Sequence, residues 1–150
     1  MNKVGVVLNT KGDVIGAHKG VYSYTIGQRK GFGIAGGKPL YVTSIDPVSN
    51  TIILGDDKEL WKDGLVGTDT SWITGLPVDL PLRVQAKIRY RSEPADAEIV
   101  SFDRSNNQVI VRFLKPQRAI TPGQAVVFYK DDLVVGGAWI KKSFSWNHAN

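Results

Sequence analysis

Short apolar segments, separated by turn residues, follow one another along this chain, and no other feature restricts its fold as strongly. Four pairs of these segments flank turns that contain Asp, and each pair predicts a β-hairpin. The paired segments are residues 4–8 with 14–15, 40–45 with 51–54, 99–102 with 109–113, and 125–129 with 133–135. The chain is therefore predicted to be mainly β.

Two of the predicted turns share an order of residues. Asp46 precedes Asn50, and Asp103 precedes Asn107, with three residues between the members of each pair. Asp and Asn side chains bond nearby backbone groups and tolerate left-handed φ angles. We interpret the pattern as shared turn chemistry. An internal duplication is the less favoured alternative, because the flanking segments do not match.

Helical signals are few and short. Thr25 and Gln28 have the spacing of a capping box, in which the Gln side chain bonds back to the Thr amide. Residues 56–60 form a second candidate for a helical turn. Neither segment is long enough for an independent helix, so we expect only short helical turns between strands.

Gly75, Pro77 and Pro81 interrupt the strand pattern between residues 72 and 82, as a short linker would. We therefore predict a small β-rich domain over residues 1–75, which contains a short helical turn, and a second domain over residues 82–141. The second domain has about five or six strand-like segments, whose spacing is typical of a small barrel or a sandwich. Residues 142–150 are assigned to a tail.

The 150 residues include no cysteine, which excludes disulfides, thiolate zinc sites and a cysteine nucleophile. The two histidines, His18 and His148, lie far apart in the chain, whereas catalytic zinc usually has three protein ligands. The sequence also lacks a phosphate loop of the G-x-x-x-x-G-K type and a nucleophile elbow. We therefore predict no catalytic residue, metal site or cofactor in this chain.

The charge and hydropathy of the chain bear on its partners and location. Its net charge is +5 and its pI is near 9.5, which favours polyanionic partners such as nucleic acid. No apolar run approaches the roughly 20 residues of a membrane span, so no membrane association is expected. The first residues do not have the pattern of a signal peptide, and the predicted location is the cytoplasm.

A glycine-rich segment at residues 31–36 matches the pattern G-x-G-x-x-G. A dinucleotide site requires this pattern to follow a buried strand and to open a helix, and neither condition is met here. The preceding Gln28, Arg29 and Lys30 are of greater interest. These cations and the amide could contact phosphates and a base edge, or they could be ordinary charges of a solvated turn.

Lys87, Arg89 and Arg91 alternate along a predicted strand and would share one of its faces. Because like charges repel, an anionic partner or nearby carboxylates are expected there. Tyr90 would point to the opposite face and into the core, unless the strand bends and leaves the ring free to stack on a base. The alternative is a charged edge strand that resists aggregation.

Residues 121–124, Thr-Pro-Gly-Gln, lie just before the predicted strand at residues 125–129. Pro at the second position and Gly at the third position are typical of a type II turn. Gln124 would then be displayed at the start of that strand. Its spacing alone assigns it no further role.

Residues 16–34 have the sequence GAHKGVYSYTIGQRKGFGI. This string closely resembles the signature of the tRNA-specific 2-thiouridylases, which contains G-x-H-x-G followed by Y-T-x-G-Q-R-K-G-x-G. The resemblance continues through residues 41–42, 87–91 and 121–124, and it ends at the strand-like residues 136–140. It covers nearly the whole chain except the tail.

The resemblance implies a role in tRNA modification. Enzymes of this family activate the wobble uridine of certain tRNAs with ATP and install sulfur at position 2. An N-terminal PP-loop domain binds the ATP, and a pair of cysteines relays a persulfide sulfur. The chain has neither part and is similar to the family's small central domain followed by its C-terminal antiparallel β-barrel, which together clamp tRNA.

This resemblance yields specific expectations for the chain. Alone it is expected to be inactive, to hold no cofactor, and to position tRNA for a PP-loop domain that binds ATP and works with sulfur-relay proteins. Family contacts to RNA carry over to Arg89, Tyr90 and Gln124, with Lys87, Arg91, Arg29 and Lys30 as further candidates. Two alternatives stay open: a protein-interaction module that docks a separate catalytic subunit, and a stand-alone enzyme that uses carboxylates or the glycine-rich loop.

Overall fold

The computed structural model describes residues 4–29 and 39–146. Ten strands make up most of this part of the chain. They are β1 Gly5–Leu8, β2 Val14–His18, β3 Tyr41–Asp46, β4 Thr51–Gly55, β5 Trp61–Trp72, β6 Leu82–Lys87, β7 Ala95–Asp103, β8 Gln108–Arg118, β9 Ala125–Lys130 and β10 Leu133–Phe144. The mainly β prediction and all four predicted hairpins are confirmed, whereas the glycine-rich pattern at residues 31–36 lies outside the described residues.

The first compact unit ends at Trp61. Its four-stranded sheet has the order β2-β1-β4-β3. The two hairpins are antiparallel, and β1 joins them by pairing in parallel with β4. Val7, Val42, Ile52 and Leu54 are buried on one side of this sheet and form its core together with Val21.

The second compact unit begins at Lys62 and is a closed barrel in the order β10-β5-β8-β7-β6-β9. Of the two architectures that the strand spacing left open, the barrel is therefore confirmed. Closure removes the exposed edges of the sheet. The barrel is filled by alternate side chains of its strands, of which Phe113, Phe128 and Leu65 are among the largest that are fully buried.

The boundary between the units differs from the predicted linker at residues 75–82. The strand β5, which the sequence analysis placed in the first domain, pairs with β10 and belongs to the barrel. The predicted tail is also too long, because β10 continues to Phe144 and pairs it with Gly64. Beyond β10, the Trp146 amide donates to Asp63 Oδ1 at 2.9 Å.

The two Asp-to-Asn turns have the predicted chemistry. Asp46 Oδ1 accepts the Val48 amide at 3.0 Å, and Asp103 Oδ1 accepts the Ser105 amide at 2.9 Å. Asn50 and Asn107 both have a left-handed φ of 56°. The Ser49 hydroxyl and nearby amides hold the pKa of Asp46 below its ordinary value, and the Ser105 hydroxyl and amide do the same for the pKa of Asp103.

Of the two predicted helical turns, one is present as a helix and the other is only a turn. Residues 25–28 form a turn in which the Thr25 amide donates to Gln28 Oε1 at 3.0 Å, so the capping contact is present without a helix. The candidate at residues 56–60 is confirmed as a 3₁₀ helix, Asp57–Leu60. A further 3₁₀ helix, Val21–Ser23, was not predicted.

A buried histidine, His18, links two segments of the first unit by hydrogen bonds. His18 is 2% exposed, and its Nε2 donates to the carbonyl of Asn50 at 2.9 Å while its Nδ1 accepts the Gly20 amide at 3.0 Å. These partners define a neutral imidazole with its proton on Nε2. A Cβ on Gly5 would collide with both the Asn50 carbonyl and the His18 ring. The absence of a side chain at Gly5 therefore permits this connection.

Candidate nucleic-acid interface

The residues singled out in the second unit meet at one end of the barrel. Strand β6 ends at Lys87, which is paired with Val127 of the antiparallel strand β9. The end of β6 therefore lies beside the start of β9. The turn that follows β6 and the turn at residues 121–124 that precedes β9 consequently lie at this same end of the barrel.

The strand predicted through residues 87–91 is shorter than expected. Strand β6 stops at Lys87, and the chain turns at Arg89, Tyr90 and Arg91. Ser92 closes this turn by donating both its amide, at 3.2 Å, and its hydroxyl, at 3.0 Å, to the Arg89 carbonyl. The prediction that three cations share one strand face is therefore wrong.

Tyr90 is displayed at the tip of this turn. Its side chain is 90% exposed, so it does not belong to the core, and the bent arrangement is the one that the chain adopts. Lys87 Nζ lies 5.8 Å from the centroid of the Tyr90 ring, within the range of a cation–π contact. An exposed ring beside a cation can stack on an unpaired base while the cation approaches a phosphate.

Arg89 turns back onto the barrel. Its Nη2 donates to the carbonyl of Ala119 at 2.6 Å and also to the carbonyl of Arg118. Partial burial of the guanidinium, and then the positive charge of Arg118, lower the pKa of Arg89 from its ordinary value. Arg89 thus holds the end of β8 in place, and the guanidinium has five N–H donors, so some remain for a ligand.

The contact made by Arg89 extends to the turn that displays Gln124. The Thr121 hydroxyl donates to the same Ala119 carbonyl at 2.9 Å. The Gln124 amide then donates to the Thr121 carbonyl at 3.3 Å, and Gly123 has a φ of 91°, which confirms the type II turn. Because the Gln124 carbonyl accepts the Ile140 amide at 2.8 Å, the backbone is fixed while the side chain is exposed.

Arg29 and Lys30 are placed differently. Arg29 belongs to the first unit, where it forms an isolated antiparallel bridge with Tyr41. Lys30 lies outside the described residues. The Oε1 atom of the neighbouring Gln28 is occupied by the Thr25 amide, which leaves the amide donors of Gln28 for any other partner.

Sequence reasoning did not find several polar residues of the barrel surface. Arg83 and Gln85 precede the predicted Lys87 on β6 and alternate with the buried Val84 and Ala86, so all three polar side chains share the outer face of β6. This alternation of polar and apolar residues is a sequence signal that could have identified them. Their neighbours Tyr129 and Lys130 come from β9, and the pairing of β6 with β9 joins segments about 40 residues apart, which local patterns do not reveal.

The arrangement at the barrel end is suited to binding. It offers ammonium and guanidinium groups for phosphates, an exposed aromatic ring for a base, and an amide for a sugar or a base edge. Within residues 4–29 and 39–146, no three His, Cys, Asp or Glu side chains converge as a metal site would require. No helix in these ranges is long and apolar enough to cross a membrane.

Comparison with known proteins identifies the family. Residues 62–140 match the family model described as the aminomethyltransferase beta-barrel domain, and residues 1–56 match that of the tRNA methyl transferase PRC-barrel domain. The chain is 47% identical over 139 residues to the tRNA-specific 2-thiouridylase MnmA of Caldicellulosiruptor saccharolyticus, and 48% identical over 139 residues to that of Clostridioides difficile. The chain belongs to the family of this beta-barrel domain, and it is similar to part of the tRNA-specific 2-thiouridylases.

A third 2-thiouridylase, from Clostridium perfringens, is 49% identical to this chain over 142 residues. Each of the three alignments covers 93% of the chain but only 38% or 39% of the relative. The chain therefore spans less than two fifths of the length of these 2-thiouridylases. The two matched ranges lie on either side of the boundary between Trp61 and Lys62.

The 2-thiouridylase signature of this chain is partly structural. His18 and Gly20, two residues of the G-x-H-x-G part of the signature, bond to each other, and His18 also links β2 to Asn50. Gln28, from the second part, closes its own turn, and its carbonyl accepts the Val42 amide of β3 at 2.9 Å. These contacts account for His18, Gly20 and Gln28 without a ligand.

Proposed function

We propose that this chain is the tRNA-binding portion of an enzyme that 2-thiolates the wobble uridine of tRNA. The observation that carries the proposal is the exposed Tyr90 at one end of the barrel, with Lys87 Nζ 5.8 Å from its ring centroid. The chain also belongs to a family whose relatives are named tRNA-specific 2-thiouridylases. An exposed ring beside cations is a common means of holding an unpaired base.

The residues of the barrel end have distinct proposed roles. Tyr90 stacks on a base, and Lys87 and Arg91 approach phosphates. Gln124 is held by its backbone at the start of β9 and offers its side-chain amide to the sugar or base. Arg89 contributes a cation and also positions the Gln124 turn through the Ala119 carbonyl that Thr121 shares. Arg29 and Lys30 supply further phosphate contacts from the first unit.

The catalytic chemistry belongs to parts of the longer protein outside this chain. The chain contains no cysteine, so the persulfide relay requires residues from elsewhere. We propose that a PP-loop domain binds ATP and receives sulfur from relay proteins, while this chain positions the tRNA. The modification takes place in the cytoplasm, and the chain alone is inactive.

Salt-dependent tRNA binding is the direct test. We expect the chain to bind unmodified tRNA in a filter-binding assay at low salt, with log affinity falling linearly as log salt rises, because phosphate contacts release counterions. Tyr90→Ala should weaken binding about tenfold, within the range of one lost base stack. Since Tyr90 is almost fully exposed, its loss should leave the melting temperature unchanged.

Tyr90→Phe is the matched control, because it keeps the ring and should retain nearly full affinity. The tRNA-binding proposal is contradicted if the wild-type chain binds no tRNA at low salt. It is also contradicted if Tyr90→Ala binds as tightly as Tyr90→Phe.

A second candidate function, docking to a catalytic domain, has its own observation. The connection between β5 and β6 exposes Ile73 by 70% and Val78 by 94%, and Leu133 at the start of β10 is 68% exposed. The Ile73 amide donates to the Val135 carbonyl at 2.8 Å, which holds the connection beside β10. Ile73 is thus held close to the start of β10, where Leu133 lies, and Val78 is on the same connection as Ile73. Exposed apolar side chains that lie together mark protein interfaces.

The expected occupant of that surface is the PP-loop portion of the same enzyme. We expect the chain to co-elute with the separately expressed PP-loop portion of a relative in size-exclusion chromatography, and Val78→Asp to abolish co-elution. Val48→Asp is the matched control, because Val48 is 96% exposed in a turn of the first unit. Equal elution of the two variants with the PP-loop portion would refute this docking surface.

A further inference from the structure

A groove on the outside of the barrel lies apart from the turn that carries Tyr90. It has a volume of about 300 Å³ and runs across three neighbouring strands, β7, β6 and β9. Its polar lining consists of Arg83, Gln85, Asp96, Tyr129, Lys130 and Asp131. The volume is at the lower end of the range for ligand sites, so the groove suits one small ligand and not a nucleic-acid helix.

The pairing of the strands explains how these residues meet. Gln85 at the centre of β6 is paired with Tyr129 of β9 on one side and with Asp96 of β7 on the other. Because Val84 and Ala86 are buried, Gln85 and its neighbours Arg83 and Lys87 project outward. An aromatic ring, an amide and a carboxylate therefore line one outward-facing row.

The charges of the lining favour a nucleotide over a free anion. Arg83 and Lys130 are balanced by Asp96 and Asp131, so the groove has no net charge to hold an isolated phosphate. Gln85 can both donate and accept hydrogen bonds. Its Nε2 donates to Asp96 Oδ1 at a long 3.4 Å, which leaves the second carboxylate oxygen of Asp96 for a ligand donor.

We infer that this groove binds a single unpaired ribonucleotide whose base carries an exocyclic amino group. The base lies against Tyr129, its amino group donates to Asp96, and its ring acceptor meets the Gln85 amide. Arg83 and Lys130 lie at the same end of the groove, beyond the pair of Gln85 and Tyr129, and approach a phosphate there. The inference rests on the proposed tRNA-binding function and adds a second, base-selective position to it.

The groove is continuous with the surface proposed for tRNA. Arg83, Gln85 and Lys87 follow one another on the same face of β6, and Lys87 contacts Tyr90. Four strand residues span about 13 Å, so the row connects the groove to the barrel end over a distance that a short single-stranded segment can follow. Tyr129 lies beside Gln85 in the middle of this row, and Tyr90 lies beyond its end at Lys87.

The test uses ¹⁵N-labelled chain and two probes of equal size, cytidine and uridine 5′-monophosphate. We expect cytidine monophosphate to shift the amides of residues 83–85, 96 and 129–131 in a saturable manner. Uridine monophosphate, which has no amino group, should bind several-fold more weakly. Asp96→Ala should abolish this preference, whereas the charge control Glu93→Ala, outside the groove, should retain it.

The outcomes separate the inference from the function on which it rests. A preference for the amino-bearing base that maps to the groove and disappears in Asp96→Ala supports the inference. If tRNA shifts the amides of residues 87–91 and 121–124 while neither monophosphate shifts the groove, the inference is wrong and the tRNA-binding function stands. If neither tRNA nor the monophosphates shift any amide, both are wrong.

Discussion

Gly5→Ala is expected to destabilise the first unit by about 2–6 kcal/mol. The added Cβ would overlap the Asn50 carbonyl and the His18 ring, and overpacking of this kind costs about 1–3 kcal/mol. Moving either group breaks the bond of 2.9 Å between His18 Nε2 and the Asn50 carbonyl. A buried polar group left without its partner costs about a further 1–3 kcal/mol. A β unit of this size has little stability to lose.

Hydrogen exchange followed by mass spectrometry measures this loss in each unit. Peptides from β1 to β4 should exchange much faster in Gly5→Ala, and peptides from the barrel strands β6 to β9 should not change. Gly12→Ala is the matched control, because its Cβ would meet no atom within 4 Å and only its φ of 88° is unfavourable. Similar exchange in the two variants would show that the space beside Gly5 does not hold the unit together.

The double substitution Lys87→Ala/Arg91→Ala is expected to weaken tRNA binding about fiftyfold at roughly 0.1 M salt. Each phosphate contact contributes about 0.9 to the slope of log affinity against log salt, which is nearly a factor of ten at this salt concentration. The slope should therefore fall by about 2. Neither side chain is buried, so the barrel should remain folded.

Filter binding of tRNA at several salt concentrations gives both quantities. Arg104→Ala is the control for lost positive charge, because Arg104 is exposed in the turn between β7 and β8, which is at the opposite end of the barrel from Tyr90. Its affinity should change by less than about twofold. A double variant whose slope equals that of wild type would remove Lys87 and Arg91 from the interface.

Structural features that depend on residues close together in the chain could be predicted from the sequence. Features that depend on pairing between distant segments could not. The hairpins are defined by short turns such as residues 46–50, in which the Asp46 side chain accepts the Val48 amide and the Ser49 hydroxyl within the turn itself. Strand β5 was missed because its polar residues, including Lys62 and Asp63, hide an apolar face, and because its partner β10 lies about 70 residues further along the chain. Placing β5 correctly also moves the domain boundary to Trp61.

In the candidate site, too, features set by neighbouring residues were predictable from the sequence and features set by distant residues were not. The type II turn before Gln124 follows from Pro122 and Gly123 alone. The end of β6 does not, because the turn at Arg89 depends on carbonyl groups of Arg118 and Ala119, which lie about 30 residues away. As a result, the predicted common strand face for Lys87, Arg89 and Arg91 was wrong.

The final strand of the barrel has a consequence for synthesis on the ribosome. Strand β10 pairs with both β9 and β5, so the ring of strands closes only when Leu133–Phe144 is available. Closure therefore joins segments that are far apart in sequence, a step that is slow by the usual dependence of folding rate on topology. The first unit has all four strands of its sheet by residue 55, so it can fold while the barrel is still being translated. During that interval β5 has an unpaired edge, and the nascent chain is most exposed to aggregation at this stage.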